Sequence, residues 1–197
     1  MIEYLESIDR AIVEAVNGWN TPFWDEFMWV VSGKQTWFPL YIALVFIAIK
    51  KGGWKMGILF LLFAAASVGL ADLISSQIFK EMVQRYRPSH HALLTDKLHF
   101  YKIDADNYYM GGQYGFVSSH AANFFAVIVF SLLYLRDYKR WLSPVLIGCA
   151  LLVCFSRLYL GVHYLSDLFV GAIVGSVLAY LVYRILFLTI AKKIQRQ

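Results

Sequence analysis

The sequence predicts an all-α protein: a polytopic membrane helix bundle with about five transmembrane helices, six being the alternative, and an N-terminal amphipathic helix. The first observation is that 59% of the 197 residues are hydrophobic and only 16% are charged, which is too apolar for an ordinary soluble domain. The second is that long apolar runs alternate with short basic connectors, as in a chain that crosses a bilayer repeatedly. The third is the presence of 6 Trp and 13 Tyr, residue types that are enriched at membrane interfaces.

The N-terminal segment, residues 1–34, is predicted to lie at the membrane surface. In residues 1–18, apolar side chains recur at helical spacing with acids between them: Ile2, Leu5, Ile8, Ile12, Ala15 and Val16. This pattern is typical of an amphipathic interfacial helix. Residues 21–33 are predicted to form a second short helix, and Asp25 and Glu26 make it a poor transmembrane span.

Five apolar segments are predicted to span the membrane: residues 36–49, 57–79, 116–135, 142–162 and 168–190. The first is short for a crossing that needs ~20 residues, whereas the other four have ordinary length. No low-complexity stretch, linker or repeat interrupts them. We therefore expect a single membrane domain over residues 1–197, with the motif-bearing core in residues 57–190.

Counting crossings sorts the basic connectors onto one membrane face. That face holds nine bases and one acid, Asp137; the bases are Lys50, Lys51, Lys55, Arg136, Lys139, Arg140, Lys192, Lys193 and Arg196. The positive-inside rule makes this face cytoplasmic. Residues 1–34 contain six acids against Arg10 and Lys34, which is compatible with an N-terminus outside. A sixth span built from residues 8–32 would move the N-terminus inside and leave the other connectors where they are.

The most informative stretch runs from Ser156 to Asp167, where one apolar segment ends and the next begins. His163 and Asp167 are four residues apart, which on a helix places the carboxylate within reach of the imidazole. A carboxylate that accepts from one ring nitrogen fixes the tautomer and leaves the other nitrogen free as a nucleophile. The guanidinium fork of Arg157 suits phosphate oxygens. The alternative is a helix end with a snorkelling arginine and a capping aspartate.

Two further polar clusters fall at the ends of predicted spans. Lys80 and Arg87 are seven residues apart, which is two helical turns, so both cations project from one stripe. Interfacial anchoring is the alternative role for such a pair. Ser118, Ser119 and His120 fall where a span begins, and a helix N-terminus offers unpaired N–H groups and a positive dipole end to an anion. Serine as an ordinary helix cap is the alternative there.

The crossing count places all three clusters on the outer membrane face. The residues concerned are Lys80, Arg87, Ser118, His120, Arg157, His163 and Asp167. Independent folding requirements would scatter such residues over both faces. Together they predict a pocket for a phosphate group, with one imidazole placed to attack and the other to protonate the leaving group.

The three clusters resemble the signature of the type 2 phosphatidic acid phosphatase family, to which the soluble vanadium haloperoxidases are related. Two parts match the signature without exception: Lys80, six residues, Arg87-Pro88; and Ser156-Arg157, five residues, His163, three residues, Asp167. The second part departs from the family's Pro-Ser-Gly-His, with Val117 in place of Pro and Ser119 in place of Gly. If the family glycine serves close approach, the pocket is slightly tighter in this chain.

The resemblance implies a membrane phosphatase that works through a phosphohistidine and needs neither a metal nor a cofactor. It assigns His163 as the nucleophile, Asp167 as the residue that orients it, and His120 as the acid and then the base. The residues implied to bind the phosphate oxygens are Lys80, Arg87, Ser118, Ser119 and Arg157. The expected localisation is the inner (cytoplasmic) membrane, with the site facing the periplasm or outside.

The substrate implied by the resemblance is a lipid phosphate that enters from the outer leaflet. Undecaprenyl diphosphate, phosphatidylglycerol phosphate, phosphatidate and a lipid A phosphate are all compatible. A small chain with no added domain and a site on the outer face slightly favours undecaprenyl diphosphate by analogy. The alternatives are a phosphatase of a soluble sugar phosphate and a non-catalytic lipid phosphate binder or flippase. Nucleic acid is not expected as a partner because the bases cluster beside apolar runs, and no obligate protein partner is evident.

The connector from Pro88 to Gly115 is too long for a simple turn and is predicted to act as a lid or a substrate-selecting element. His90 and His91 are candidate metal ligands, although adjacent residues rarely ligate one ion together. Candidate contacts for a second phosphate or a headgroup are Arg85, Lys97 and Lys102.

Overall fold

The computed structural model describes residues 2–194, which form helices joined by loops with no β-strand in that range. Two short helices come first, α1 (Ile2–Asn17) and α2 (Pro22–Ser32). A single turn, Lys34–Trp37, leads into a long helix, Phe38–Leu73. The later helices are α5 (Ser119–Leu135), α6 (Leu142–Tyr159) and α7 (Leu165–Leu181), the last extended by Val182–Phe187 and Leu188–Ile194. The all-α prediction is confirmed.

The long helix Phe38–Leu73 consists of two arms that fold back on one another. Gly53 interrupts it with φ 82° and ψ 172°, a conformation that glycine adopts without the steric cost of a Cβ. A Cβ on Gly57 would collide with the side chain of Ile49, so the arms touch beside the turn. We call the arms α3 (38–52) and α4 (54–83), the latter continuing through Ile74–Phe79 and Lys80–Val83.

The reversal at Gly53 makes the helix lengths compatible with a bilayer. Lys34–Val83 is an apolar segment of 50 residues, and a straight helix of that length would extend about 75 Å, far beyond a hydrocarbon core of about 30 Å. Folded at Gly53, it supplies the first two predicted spans. The remaining apolar helices match the other three predicted spans in position: Ser119–Leu135, Leu142–Tyr159 and Leu165–Ile194. The number of crossings stays a prediction.

The connector between α6 and α7 differs from the sequence prediction. Helix α6 ends at Tyr159 and α7 begins at Leu165, so His163 lies in a loop instead of on a helix with Asp167. The helix stops because Gly161 adopts φ 66° and the chain then turns to an extended conformation at Tyr164. The predicted proximity of His163 and Asp167 nevertheless holds, as the site geometry below shows.

Close packing of α5 on α7 positions the N-termini of both helices. Gly171 and Gly175, one turn apart on α7, face the α5 backbone; a Cβ on Gly171 would lie 2.6 Å from the Ser118 carbonyl oxygen, and one on Gly175 would overlap the Ala122 carbonyl. At the ends of the two helices, the Ser118 amide donates to the Asp167 carbonyl oxygen at 3.0 Å. The two helices therefore begin side by side.

The N-terminal helices and the long connector cover the end of the bundle at which α5 and α7 begin. Side-chain hydrogen bonds tie the connector to α1 and α2: the Asn17 amide donates to the His99 carbonyl at 2.7 Å, and the Tyr101 hydroxyl donates to Glu26 at 3.1 Å. His99 Nε2 lies 2.9 Å from Asp25 Oδ2. The predicted pair of short N-terminal helices is confirmed, with the Thr21 hydroxyl accepting from the Trp24 amide as the cap of α2.

Candidate active site

The fold brings the three sequence clusters together at one end of the bundle. Lys80, from the end of α4, donates to the Ser119 hydroxyl at the start of α5 at 3.1 Å. Arg87, from the following loop, contacts His163 in the α6–α7 connector, with 3.1 Å between Nη1 and Nε2. The Ser118–Asp167 backbone bond joins the starts of α5 and α7. Residues separated by up to about ninety positions in sequence therefore share one site.

The surroundings of His163 favour a neutral imidazole that carries its lone pair on Nε2. Its side chain is 1% exposed, and burial, followed by the positive charges of Arg87 and Arg157, holds the pKa of His163 well below its usual range. A guanidinium can only donate, so the Nη1–Nε2 contact requires Nε2 to accept. The ring proton therefore lies on Nδ1, and Nε2 has the electron pair that a nucleophile needs.

Asp167 stands behind the imidazole on the Nδ1 side. Its Oδ2 is 3.5 Å from His163 Nδ1, within ion-pair distance, and Nδ1 has no hydrogen-bond partner within residues 2–194. The same oxygen accepts from the Tyr164 amide at 3.0 Å, which fixes the carboxylate as an N-terminal cap of α7. The capping role offered as an alternative is thus real and coexists with the contact to His163, which needs to shorten by only about half an ångström to become a hydrogen bond.

Arg87 is locked by backbone contacts in addition to His163. Its Nε donates to the Tyr114 carbonyl at 3.1 Å, and its Nη1 donates to the Val162 carbonyl at 3.2 Å. A Cβ on Gly111, which has φ 68°, would lie 2.9 Å from Nη1, so glycine is needed there on both counts. Burial, followed by the charge of Arg157, lowers the pKa of Arg87 to about 10, which leaves the guanidinium charged at neutral pH.

Arg157 is buried, with 1% of the residue exposed, and one of its three guanidinium nitrogens has no partner among the described residues. Its Nη2 donates to the Tyr109 hydroxyl at 2.8 Å, and its Nη1 donates to the Ser32 hydroxyl. Its Nε has no partner among the residues the structure describes, although buried donors are normally paired. Ser32 and Tyr109 were not singled out in the sequence because each comes from a distant segment, the end of α2 and the long connector.

The start of α5 shows both of the roles considered for its serines. The Ser118 hydroxyl accepts from the Ala121 amide at 3.5 Å and so caps the helix, yet its own proton is left available for donation. Ser119, which stands where the family has Gly, uses its hydroxyl to accept from Lys80 and to pair with Ser76 at 3.0 Å. The departure from the signature thus places a hydroxyl beside the Lys80 ammonium.

His120 opens onto a cavity between α3, α4 and α5. The cavity has a volume of about 480 Å³, and its polar lining residues are Ser32, Lys34, Asp72, His120 and Asn123. Its remaining wall is apolar and includes Trp37, Phe38 and Phe124. A second, apolar cavity of about 300 Å³ adjoins it and shares lining residues with it: Tyr41, Ala65, Val68 and Asn123.

The secondary candidates from the sequence have other partners. Arg85 was considered for a second phosphate, but its guanidinium instead donates to Asp167 Oδ1 and Asp9 Oδ2, each at 2.9 Å. Lys97 lies 3.9 Å from Glu14. Both adjacent histidines of the connector use Nδ1 locally, toward the Ser89 hydroxyl and the Leu93 amide. No cluster of three or more His, Cys, Asp or Glu suited to a metal is found between residues 2 and 194.

These features define a membrane-embedded helical protein with a buried, cation-lined site around an imidazole. Comparison with known families agrees, because the PAP2 superfamily model matches residues 37–190. The chain is 36% identical over 184 residues to the lipid A 4'-phosphatase of Bacteroides thetaiotaomicron, covering 93% of this chain and 79% of that protein. It is 31% identical to the lipid A 4'-phosphatase of Porphyromonas gingivalis, covering 93% and 75%.

The fold is also shared with solved membrane phosphatases. A PAP2-type phosphatidylglycerolphosphate phosphatase from Bacillus subtilis aligns with a TM-score of 0.61 at 24% identity, covering 91% of this chain and 84% of that one. Aquifex aeolicus LpxE aligns with a TM-score of 0.54 at 22% identity, covering 88% and 93%. The chain belongs to the PAP2 superfamily and is a multi-pass membrane lipid phosphatase, which confirms the resemblance found in the sequence.

Proposed function

We propose that the chain, acting as a single domain, hydrolyses a lipid phosphate in two steps through a phosphohistidine on His163, without a metal. The observation that carries this proposal is the Nη1–Nε2 contact of Arg87 with His163, because it requires the attacking nitrogen to be unprotonated. In the first step Nε2 forms a bond to phosphorus and the bond to the lipid oxygen breaks. His120 gives a proton to that leaving oxygen.

The second step regenerates the enzyme. His120, now without its proton, takes one from a water molecule, the resulting oxygen attacks phosphorus, and the P–Nε2 bond breaks to release inorganic phosphate. Asp167 stabilises the positive charge that the imidazole carries while it is phosphorylated, because its Oδ2 already faces Nδ1 at 3.5 Å. No electron acceptor or metal is needed for either step.

We assign the phosphate oxygens to three cations and the start of α5. The positive charges of Arg87, Arg157 and Lys80 all lower the pKa of His163, after burial, and Arg87 contacts its ring directly. The open Nε of Arg157 supports this assignment, since a bound phosphate would supply the acceptor that this buried donor requires. The Ser118 hydroxyl and the Ser119 amide complete the set as donors at a helix N-terminus.

A lipid substrate is supported by the shape of the cavity beside His120. His120, the proposed leaving-group acid, is part of its lining, and the cavity shares lining residues with the second, apolar cavity between α3, α4 and α5. An acyl or prenyl chain fits such a lining, whereas a soluble sugar phosphate would gain nothing from it. We infer that the lipid reaches the site sideways from the outer leaflet of the inner membrane, with the site on the periplasmic side, as the positive-inside count predicts.

Among lipid phosphates, we propose a lipid A phosphate as the substrate. The support is that both curated relatives act on lipid A at the 4' position, at 36% and 31% identity over almost the whole chain. The preference for undecaprenyl diphosphate drawn from the sequence rested on analogy, from a small chain without an added domain and a site on the outer membrane face. Phosphatidylglycerol phosphate is the second candidate, since the Bacillus subtilis neighbour acts on it.

The test is phosphate release by the purified protein in detergent with EDTA present. The panel holds a lipid A phosphate, phosphatidylglycerol phosphate, undecaprenyl diphosphate, phosphatidate and a soluble sugar phosphate. We expect the lipid A phosphate to give the highest kcat/KM and the His163→Ala variant to give no turnover. Preference for the sugar phosphate, or binding without turnover by the unaltered protein, would favour the two alternative functions instead.

A further inference from the structure

A polar chain connects the N-terminal helix to the candidate site through three charged side chains: Asp9, Arg85 and Asp167. We propose that Asp9 and Arg85 are positioning residues for the reaction, with Arg85 holding the Asp167 carboxylate in place and Asp9 offsetting the positive charge of Arg85. This inference rests on the proposed function, because its effect reaches the substrate only through Asp167 and His163. It gives helix α1, which lies outside the sequence signature, a part in the chemistry.

The hydrogen bonds among Asp9, Arg85 and Asp167 give the two oxygens of the Asp167 carboxylate different partners. Arg85 Nη1 donates to Asp167 Oδ1 at 2.9 Å, while Oδ2 faces His163 Nδ1. The other arm, Arg85 Nη2, donates to Asp9 Oδ2 at 2.9 Å. Arg85 therefore fixes the carboxylate oxygen that does not face the imidazole, and through it the orientation of the one that does.

Burial makes these charges act strongly on one another. Asp167 is fully buried, the side chain of Asp9 is 7% exposed and that of Arg85 is 19% exposed, so little water screens them. The guanidinium also lies 4.2 Å from the centre of the Tyr164 ring, which limits its movement. Although burial opposes it, Asp167 and Asp9 together raise the pKa of Arg85.

The sum of the charges explains why two carboxylates serve one guanidinium. An ion pair made of Arg85 and Asp167 alone would be neutral overall and would give a cationic imidazole little electrostatic stabilisation. With Asp9 included, the group carries one net negative charge, which complements the positive charge that His163 gains when it is phosphorylated. Asp9 thus leaves the negative charge of Asp167 available to His163.

A purely structural role for Asp9 is the rival explanation. Its Oδ1 accepts from the Ser166 amide at 3.1 Å, and its Oδ2 accepts from the Ser166 hydroxyl, so it also caps the first turn of α7. Loss of a cap lowers stability and leaves the chemistry of the folded protein unchanged. The two roles are separable because only the positioning role depends on Asp167.

The experiment compares Asp9→Asn with Glu14→Gln in the full chain, purified in detergent and assayed with a radiolabelled lipid A phosphate. Glu14→Gln is the matched control, since this substitution removes one acid from the same helix at a half-exposed position near Lys97. We expect Asp9→Asn to lower kcat at least about tenfold while KM changes less than about threefold, and Glu14→Gln to stay within about twofold of the unaltered protein. Asp9→Glu should retain more activity than Asp9→Asn, and the thermal midpoint of each variant reports its folding.

A second comparison introduces Asp9→Asn into an Asp167→Asn background. If Asp9 acts through Asp167, adding Asp9→Asn to Asp167→Asn lowers kcat no more than about twofold. A structural role for Asp9 instead predicts that Asp9→Asn lowers kcat by the same factor with Asp167 present or replaced. Equal factors, or an Asp9→Asn variant that behaves like Glu14→Gln, would overturn this inference. A different result would refute the proposed function itself: the unaltered protein would release no phosphate, or the His163→Ala variant would still turn over.

Discussion

Replacing Gly171 by alanine tests whether the close approach of α5 and α7 sets the geometry of the site. The new Cβ would lie 2.6 Å from the Ser118 carbonyl oxygen and 3.4 Å from the Ser118 nitrogen. Because ordinary contact begins near 3.4 Å, the two helix ends must separate by about 0.8 Å. The hydrogen bond from the Ser118 amide to the Asp167 carbonyl joins the two helix ends that would have to separate.

A displacement of this size is large for catalysis and modest for folding. Misplacing reacting groups by about 1 Å can cost about a hundredfold in rate, whereas a single overpacked site costs typically about 1–3 kcal/mol of stability. We therefore expect Gly171→Ala to fold and to lose ten- to a hundredfold in kcat, as measured by phosphate release at saturating lipid. The thermal midpoint in detergent, followed by tryptophan fluorescence, separates the two effects.

The matched control is Gly148→Ala on α6, where a new Cβ meets no atom within 4 Å. It makes the same chemical change in a helix, and the higher helix propensity of alanine makes it neutral to slightly stabilising. An unchanged kcat in Gly171→Ala, or an equal loss in Gly148→Ala, would refute the view that α5–α7 packing sets the site.

Three further predictions follow from the same geometry. Tyr109→Phe removes the acceptor of Arg157 Nη2, and we expect kcat/KM to fall about tenfold in the phosphate-release assay with little change in thermal midpoint, since a buried donor loses its partner. Gly53→Ala places a Cβ at φ 82° and ψ 172°, a backbone region that residues other than glycine rarely adopt, although the Cβ would meet no neighbouring atom within 4 Å. We therefore expect a loss of about 1–3 kcal/mol in stability, seen as a lower thermal midpoint, with kcat unchanged. The pKa of His163 is held well below 6.5 in the folded protein. Below pH 6.5 the unfolded chain therefore takes up a proton that the folded protein does not, and the free energy of unfolding falls as the pH falls. His163→Asn should reduce that fall by up to about 1.4 kcal/mol per pH unit, measured from thermal midpoints between pH 7 and 5.

The parts of the fold and site that local sequence patterns determine were predicted well. Apolar periodicity located α1 and α2 and the apolar helices to within a few residues, because membrane helices need long apolar runs and polar residues mark their ends. The convergence of Lys80, Arg87, Ser118 and His163 followed from counting crossings, which requires only the order of the spans.

The parts that depend on contacts between distant segments were not predicted. Asp9 is one of several acids on an amphipathic helix, and no local pattern marks it as buried; its burial follows from the contact with Arg85 in a distant segment. Ser32 and Tyr109 contact Arg157 only because α2 and the long connector fold over the site. The position of His163 off the helix depends on the turn at Gly161, which the four-residue spacing to Asp167 does not reveal.

The most direct measurement is to trap the phosphorylated protein. His120→Ala blocks activation of water, and a substrate with a good leaving group, such as p-nitrophenyl phosphate labelled on phosphorus, removes the need for an acid in the first step. The account predicts that this variant accumulates label on His163 as an acid-labile, alkali-stable phosphoramidate, and that His163→Ala in the same background takes up none. Absence of label from the His120→Ala protein under conditions where the unaltered protein turns over, or label on another residue, would contradict it.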